Sequence, residues 1–332
     1  MNIYTIFTGG TIGSHLAPAG NIRTNHAAPF QLLEYYNQTY PNSITFHTEE
    51  PYYILSENLC APYLLQLIGC LNQILRTKKT DGIIITHGTD TLQYTAAILS
   101  YLFDDAAVPI FLVSSDYVLA DARANGLTNF HYAVRFIEEK RGSGVFVSYC
   151  NQGGSATIHR GSRLQTPLSY SADVFSIADS WYGRYEQNNY LSNPNLIITP
   201  GQKRLPVSPD TVRLTEYPPI LRIFPYVGMG YPDIPSGTKA ILHESFHSGT
   251  IRVEGMLKDF ADTVAQRRIP IFLTGLDSHQ AHYETVEQYR QSGIIPLTNR
   301  AAIAQYCKLW LAIDNDLDIL TTMSTPAAED TL

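Results

Sequence analysis

The run Gly82-Ile83-Ile84-Ile85-Thr86 constrains the fold of this chain more than any other feature. It is apolar without alternation, so it has no face to offer water. That is the pattern of a parallel strand buried on both sides. Similar short runs recur at 3–7, 108–113 and 144–148, and helical stretches lie between them at 62–75, 91–103 and 127–139. In the first of those stretches Leu64, Leu67, Ile68, Leu71 and Leu75 share one helical face. Strands alternating with helices predict an α/β fold built on a parallel sheet. The prolines at 194, 200, 206, 209, 218 and 219 then interrupt all periodicity. A second α/β set follows, with strands at 220–224, 240–242 and 269–273 and helices at 256–266, 283–292 and 301–313. The expectation is a parallel-sheet N-terminal domain (1–187), a linker (188–219) and a smaller C-terminal α/β domain (220–332), ending in a polar segment that frays.

Composition narrows the partners. Of the 332 residues 44% are apolar and 16% charged, as in a well-packed globular protein. The net charge of −7 repels phosphate backbones, so no nucleic acid is expected as a partner. No apolar run approaches the length of a membrane span and the first residues, MNIYTIFTGG, have no basic leader. Cys60, Cys70, Cys150 and Cys307 form no CxxC pair, which points to reduced thiols and a cytoplasmic setting.

In open parallel sheets function gathers at the carboxyl ends of strands. Two such ends stand out: Thr8-Gly9-Gly10-Thr11-Ile12-Gly13 and Thr86-His87-Gly88-Thr89-Asp90-Thr91. Each puts a threonine hydroxyl just after a buried strand, among glycines that let a backbone approach a ligand closely. A hydroxyl nucleophile needs a neighbouring base and donors for the oxyanion. Asp90 supplies a carboxylate. The plain alternatives are a simple Gly-Gly turn and an Asp that caps the helix after it. A phosphate loop fits poorly, because the first turn lacks both the GxGxxG spacing and a following Lys-Ser/Thr.

Taken together, TGGTIG and THGTDT resemble the two signature motifs of the bacterial L-asparaginase family. Leu55-Ser56-Glu57-Asn58 resembles that family's substrate loop, and further similarity runs through VSSDYVLADARANGLTNFHYAV, Gly161-Ser162-Arg163 and Asp173-Val174-Phe175. The likeness covers most of the chain and is closer to the cytoplasmic type I branch. It implies a larger parallel-sheet domain joined to a smaller one, and a homodimer or homotetramer with its site near a subunit contact. The implied reaction is hydrolysis of a small-molecule side-chain amide through an acyl-enzyme, with no metal or cofactor. By that resemblance Thr11 is the nucleophile, and Thr89 and Asp90 form the second catalytic group. Ser56, Glu57, Gly10 and Gly88 contact the substrate.

The chain departs from the family pattern twice. Asn21 stands where a tyrosine activates the nucleophile, and Thr166 stands where a lysine partners the second threonine. Asparagine is no general base and threonine supplies no cation. Arg160 or Arg163 can substitute for the charge but cannot accept a proton; His159 can accept one if its loop brings it inward, and a surface position is the plainer expectation. Three outcomes follow: a different proton relay, a different amide, or a protein that binds its ligand without turnover. A competing motif, His243-Glu244-Ser245-Phe246-His247, matches HExxH, with His279 and His282 as further ligands for zinc. That chemistry needs both histidines on one helical face, whereas the residues before His243 read as a strand.

Overall fold

The computed structural model describes residues 1–16, 22–24, 28–41, 43–198, 200–253, 255, 257–277 and 283–332. In chain order the strands are β1 (Asn2–Phe7), β2 (Ser14–Leu16), β3 (Ile22–Thr24), β4 (Thr45–Glu49), β5 (Gly82–Thr86), β6 (Pro109–Val113), β7 (Gly144–Cys150), β8 (Ala156–Arg160), β9 (Gly183–Glu186), β10 (Asn189–Ser192), β11 (Ile220–Ile223), β12 (Ala240–His243), β13 (Ile271–Leu276) and β14 (Ile294–Thr298). The helices are α1 (Ala28–Thr39), α2 (Ala61–Thr77), α3 (Leu92–Phe103), α4 (Gly126–Glu138), α5 (Leu257–Gln266), α6 (Thr285–Gln291), α7 (Ala302–Asp314) and α8 (Ile319–Ser324).

The large sheet runs β10-β9-β8-β7-β6-β5-β1-β4. Its strands β4, β1, β5, β6 and β7 are parallel, and β8, β9 and β10 extend it antiparallel. Every residue of β5 and β6 is buried, as the unbroken apolar runs require. One face is covered by α2 and α3 and the other by α1 and α4, each with its own apolar core. The helix α3 is buried on nearly all sides, because α7 packs over it. A second sheet, β11-β12-β13-β14, is parallel throughout and carries a separate core with α5 and α6.

The chain is thus an α/β protein with a large, mainly parallel sheet and a smaller parallel one. Several elements were not legible. The edge strand β4 is half solvated and polar (TFHTE), so it shows no apolar run. The stretch 188–219, read as a linker, contains β10, which pairs with β9. The polar C-terminal segment does not fray: α8 forms, and Ala327, Ala328 and Asp330 are buried. All four cysteines are free thiols. Among the described residues no helix is long and apolar enough to cross a membrane.

Candidate active site

The sheet order decides where a ligand fits. From β1 the chain crosses to β4 on one flank, then to β5 on the other. The loops leaving β1 and β5 therefore diverge and leave a crevice at their carboxyl ends, the switch point of an open α/β sheet. Both threonine turns lie there.

The first turn is held by its glycines. Gly9 and Gly10 have φ of 99° and 76°, a left-handed region that glycine adopts freely. Thr11–Gly13 follow as a single 3-10 turn. The chain after β4 runs alongside: Gly10 N donates to Ile54 O at 3.0 Å and Ile54 N donates to Thr8 O at 3.1 Å. The Gly10 amide is therefore occupied, and the missing side chain of this glycine lets the second turn approach closely. Ser14 Oγ donates to Gly10 O at 2.8 Å, and the Tyr53 hydroxyl donates to Gly13 O.

The second turn packs directly on the first. A β-carbon at Gly10 would lie 2.4 Å from Gly88 N, and one at Gly88 would lie 2.3 Å from Ser56 Oγ. Thr8 Oγ1 donates to Thr86 O at 2.6 Å beneath them. Ser56, in the 3-10 turn Ser56–Asn58, is buried, and its hydroxyl stands 3.5 Å from Asp90 Oδ2. Thr91 Oγ1 donates to Ser56 O at 2.9 Å. Residues Gly10, Gly88, Ser56 and Asp90 thus converge. Thr11 and Thr89 are each part-exposed on these turns, while Asp90 and Glu57 face solvent.

His87 locks the second turn, a role the sequence does not announce. Its Nδ1 is 2.8 Å from Gly88 O and must carry the proton, since a carbonyl only accepts. Its Nε2, 2.8 Å from Thr95 Oγ1, then accepts from that hydroxyl. Burial pushes its pKa down to about 4. The unfolded chain takes up this proton near pH 6.5 and the folded chain does not, so the stability present above that pH is lost as pH falls toward 4. The loss from His87 alone is about 3 kcal/mol, and buried His159, pushed down to about 3, adds to it. Urea unfolding at pH 7, 5.5 and 4.5 should show this decline, and His87→Gln should flatten it. A decline of equal depth in the variant would remove His87 as its source.

Arg160, Arg163 and His159, the groups that could stand in for the absent family lysine, are committed to other partners. Asn21, His279 and His282 lie outside the described residues. Thr166 is exposed. Arg160 Nη2 donates to both oxygens of Asp104 at 2.7 Å, and both side chains are buried. Arg163 is fully buried and donates to Glu329 O at 2.7 Å and Ile197 O at 2.9 Å. His159 is not at the surface: it is buried, with Nδ1 2.8 Å from Ser176 Oγ. Its strand β8 lies in the sheet interior, which the sequence did not reveal. Tyr36 is buried against Phe46 and Phe130, in the apolar core that also takes in Ile12 of the first turn. In HESFH, His243 ends β12 and the chain leaves it as a loop rather than a helix. Among the described residues no group of His, Cys, Asp and Glu is placed to hold a metal ion.

Two abutting hydroxyl-bearing turns thus stand at the switch point of a doubly covered, mainly parallel sheet, the place where open α/β folds bind ligands. The asparaginase N-terminal family model matches residues 2–194, more than half of the chain, and the chain belongs to the asparaginase family. It is similar to a glutaminase-asparaginase of Pseudomonas aeruginosa, 34% identical over 152 residues, covering 44% of this chain and 41% of that protein. It is also similar to a glutamyl-tRNA(Gln) amidotransferase component of Methanobrevibacter smithii, 31% identical over 218 residues, covering 60% of this chain and 45% of that protein. The matches thus span less than half the length of those two relatives. Among solved structures, the thermostable L-asparaginase from Thermococcus kodakarensis shares the fold, with a TM-score of 0.78 at 20% identity over 100% of this chain and 99% of that one.

Proposed function

We propose that the chain hydrolyses a small side-chain amide, L-asparagine or a close relative, with Thr11 as nucleophile. The observation that carries this reading is the direct packing of the Thr11 turn on the Thr89 turn, with Ser56 and Asp90 3.5 Å apart beside them. An amino-acid amide presents an ammonium and a carboxylate, and a carboxylate next to a hydroxyl complements that pair. Thr11 Oγ attacks the amide carbon, its proton passes to the amide nitrogen, the C–N bond breaks to release ammonia, and water then cleaves the ester on Thr11 to release the acid and restore the hydroxyl. Thr89 and Asp90 act as the second catalytic group. Glu57 and Gly88 line the substrate side. The working form is a homodimer or homotetramer in the cytoplasm, without metal or cofactor.

A second reading has one observation in its favour. Arg160 and Arg163, the cations nearest to Thr166 in sequence, are tied to Asp104 and to backbone carbonyls, so neither replaces the family lysine. On that reading the protein binds an amino-acid amide without turning it over. Ammonia release from L-asparagine, L-glutamine and other small amides separates the two. The enzyme reading expects release from at least one of them, undiminished by a chelator. Thermal stabilisation by the same compounds without release supports the binder.

A further inference from the structure

We infer that Arg222, braced by Glu244, is a positioning residue for the strand-end site, holding the first turn of α3 from the small sheet. This rests on reading the two threonine turns as an amide-hydrolysing site. Arg222 lies in β11, and Glu244 continues the ladder beyond β12, its N–H donating to Ile223 O at 2.8 Å. Arg222 Nη2 donates to Glu244 Oε1 at 2.6 Å, and Nη1 donates to Tyr94 Oη at 2.9 Å. The guanidinium carbon also lies over the rings of Phe224 and Tyr306, 4.7 and 4.9 Å from their centroids. Both charged side chains are largely buried, at 18% and 16% exposure. A planar guanidinium gripped by rings, a carboxylate and a phenol has little freedom, so it fixes what it holds.

What it holds is the helix turn next to the site. Tyr94 N donates to Thr91 O at 3.1 Å. Thr91 donates to the Ser56 carbonyl, and Thr95 donates to His87. One turn of α3 is therefore tied at three points: to the Ser56 loop, to the Thr89 turn through His87, and to the small sheet through Tyr94. The glutamate of HESFH thereby has a use unrelated to metal: it orients Arg222. Loss of the Tyr94 tie leaves the other two in place, so the fold survives while the spacing of Ser56 and Asp90 loosens. Those groups meet the ends of the substrate, so the effect falls on binding more than on bond cleavage.

The test uses Arg222→Met, Tyr94→Phe and the double variant in the full chain. KM for the amide substrate should rise roughly tenfold with kcat within about twofold. The double variant should be no worse than Arg222→Met, and Glu244→Gln, which keeps an acceptor, should fall between. Lower thermal stability with KM unchanged would reduce the cluster to a purely structural contact and overturn the inference. Hydrogen exchange gives a readout independent of chemistry. Amides of residues 91–95 and 56–59 should exchange faster in Arg222→Met, and unchanged exchange would overturn the proposal. If the unaltered protein releases no ammonia, the enzyme reading fails, and the exchange result alone still decides the role of Arg222.

Discussion

Replacing Gly10 by alanine is expected to abolish amide hydrolysis, lowering kcat/KM by more than about a hundredfold, and to destabilise the fold by about 2–4 kcal/mol. The conformation alone is costly: φ 76° with ψ −176° belongs almost wholly to glycine. The space is worse. A β-carbon there would lie 2.4 Å from Gly88 N, 2.5 Å from Gly88 Cα and 2.8 Å from the His87 carbonyl carbon. These are backbone atoms, so no side chain can swing aside. Relief requires moving one threonine turn away from the other, and a shift near 1 Å between reacting groups carries a penalty of that order. Gly69→Ala is the matched control. It lies in α2 and a β-carbon meets nothing within 4 Å, so the substitution should stabilise the helix by up to about 1 kcal/mol and leave activity unchanged. Ammonia release and urea unfolding measure both effects. Near-normal activity in Gly10→Ala would mean that the packing of the two turns is not what makes the site.

The second large effect is expected at Lys308→Met, which should cost about 3–5 kcal/mol. Lys308 in α7 and Asp330 near the C-terminus both have fully buried side chains, with Nζ 2.8 Å from Oδ2. Lys308 Nζ also donates to Thr325 O at 2.6 Å. Asp330 Oδ2 accepts from Tyr101 Oη at 3.0 Å and Gln305 Nε2 at 3.2 Å, and Oδ1 accepts from Ala327 N at 3.0 Å. Removal of the ammonium leaves a carboxylate desolvated and without its countercharge, and the remaining neutral donors do not replace it. The melting temperature should fall by roughly 5 °C for a chain of this size. Adding Asp330→Asn removes the stranded charge and should recover part of the loss. If the single variant melts like the unaltered protein, this pair does not anchor the C-terminal segment on α3 and α7.

The same pair shows why a C-terminal segment that looks frayed in sequence is anchored in the fold. A polar segment reads as a solvated one when each residue is taken alone, and the partners of Asp330 lie on helices far away in sequence. Elements that bury both faces, such as β5 and β6, announce themselves through unbroken apolar runs. The edge strand β4 does not, because its outer side meets water. The site follows the same division. The two glycine-threonine turns after β1 and β5 are legible locally, and Thr11, Thr89 and Asp90 are proposed as the site because they lie on them. The bonds from Thr95 to His87, from Tyr53 to Gly13 and from Arg222 to Tyr94 depend on side chains brought together only by the fold. His159 and Arg163 carried a polar signature that suggested availability, and burial in β8 and the turn after it takes both out of reach.

The proposed reaction stands or falls on whether Thr11 carries the acyl group. Rapid quenching during turnover of L-asparagine, or of whichever amide releases ammonia, followed by peptide mass mapping, tests this most directly. The expected result is a mass increase equal to the acyl fragment on the peptide containing Thr11, absent in Thr11→Ala, which should also lose ammonia release. An acyl group on the Thr89 peptide instead, or undiminished release from Thr11→Ala, would contradict it.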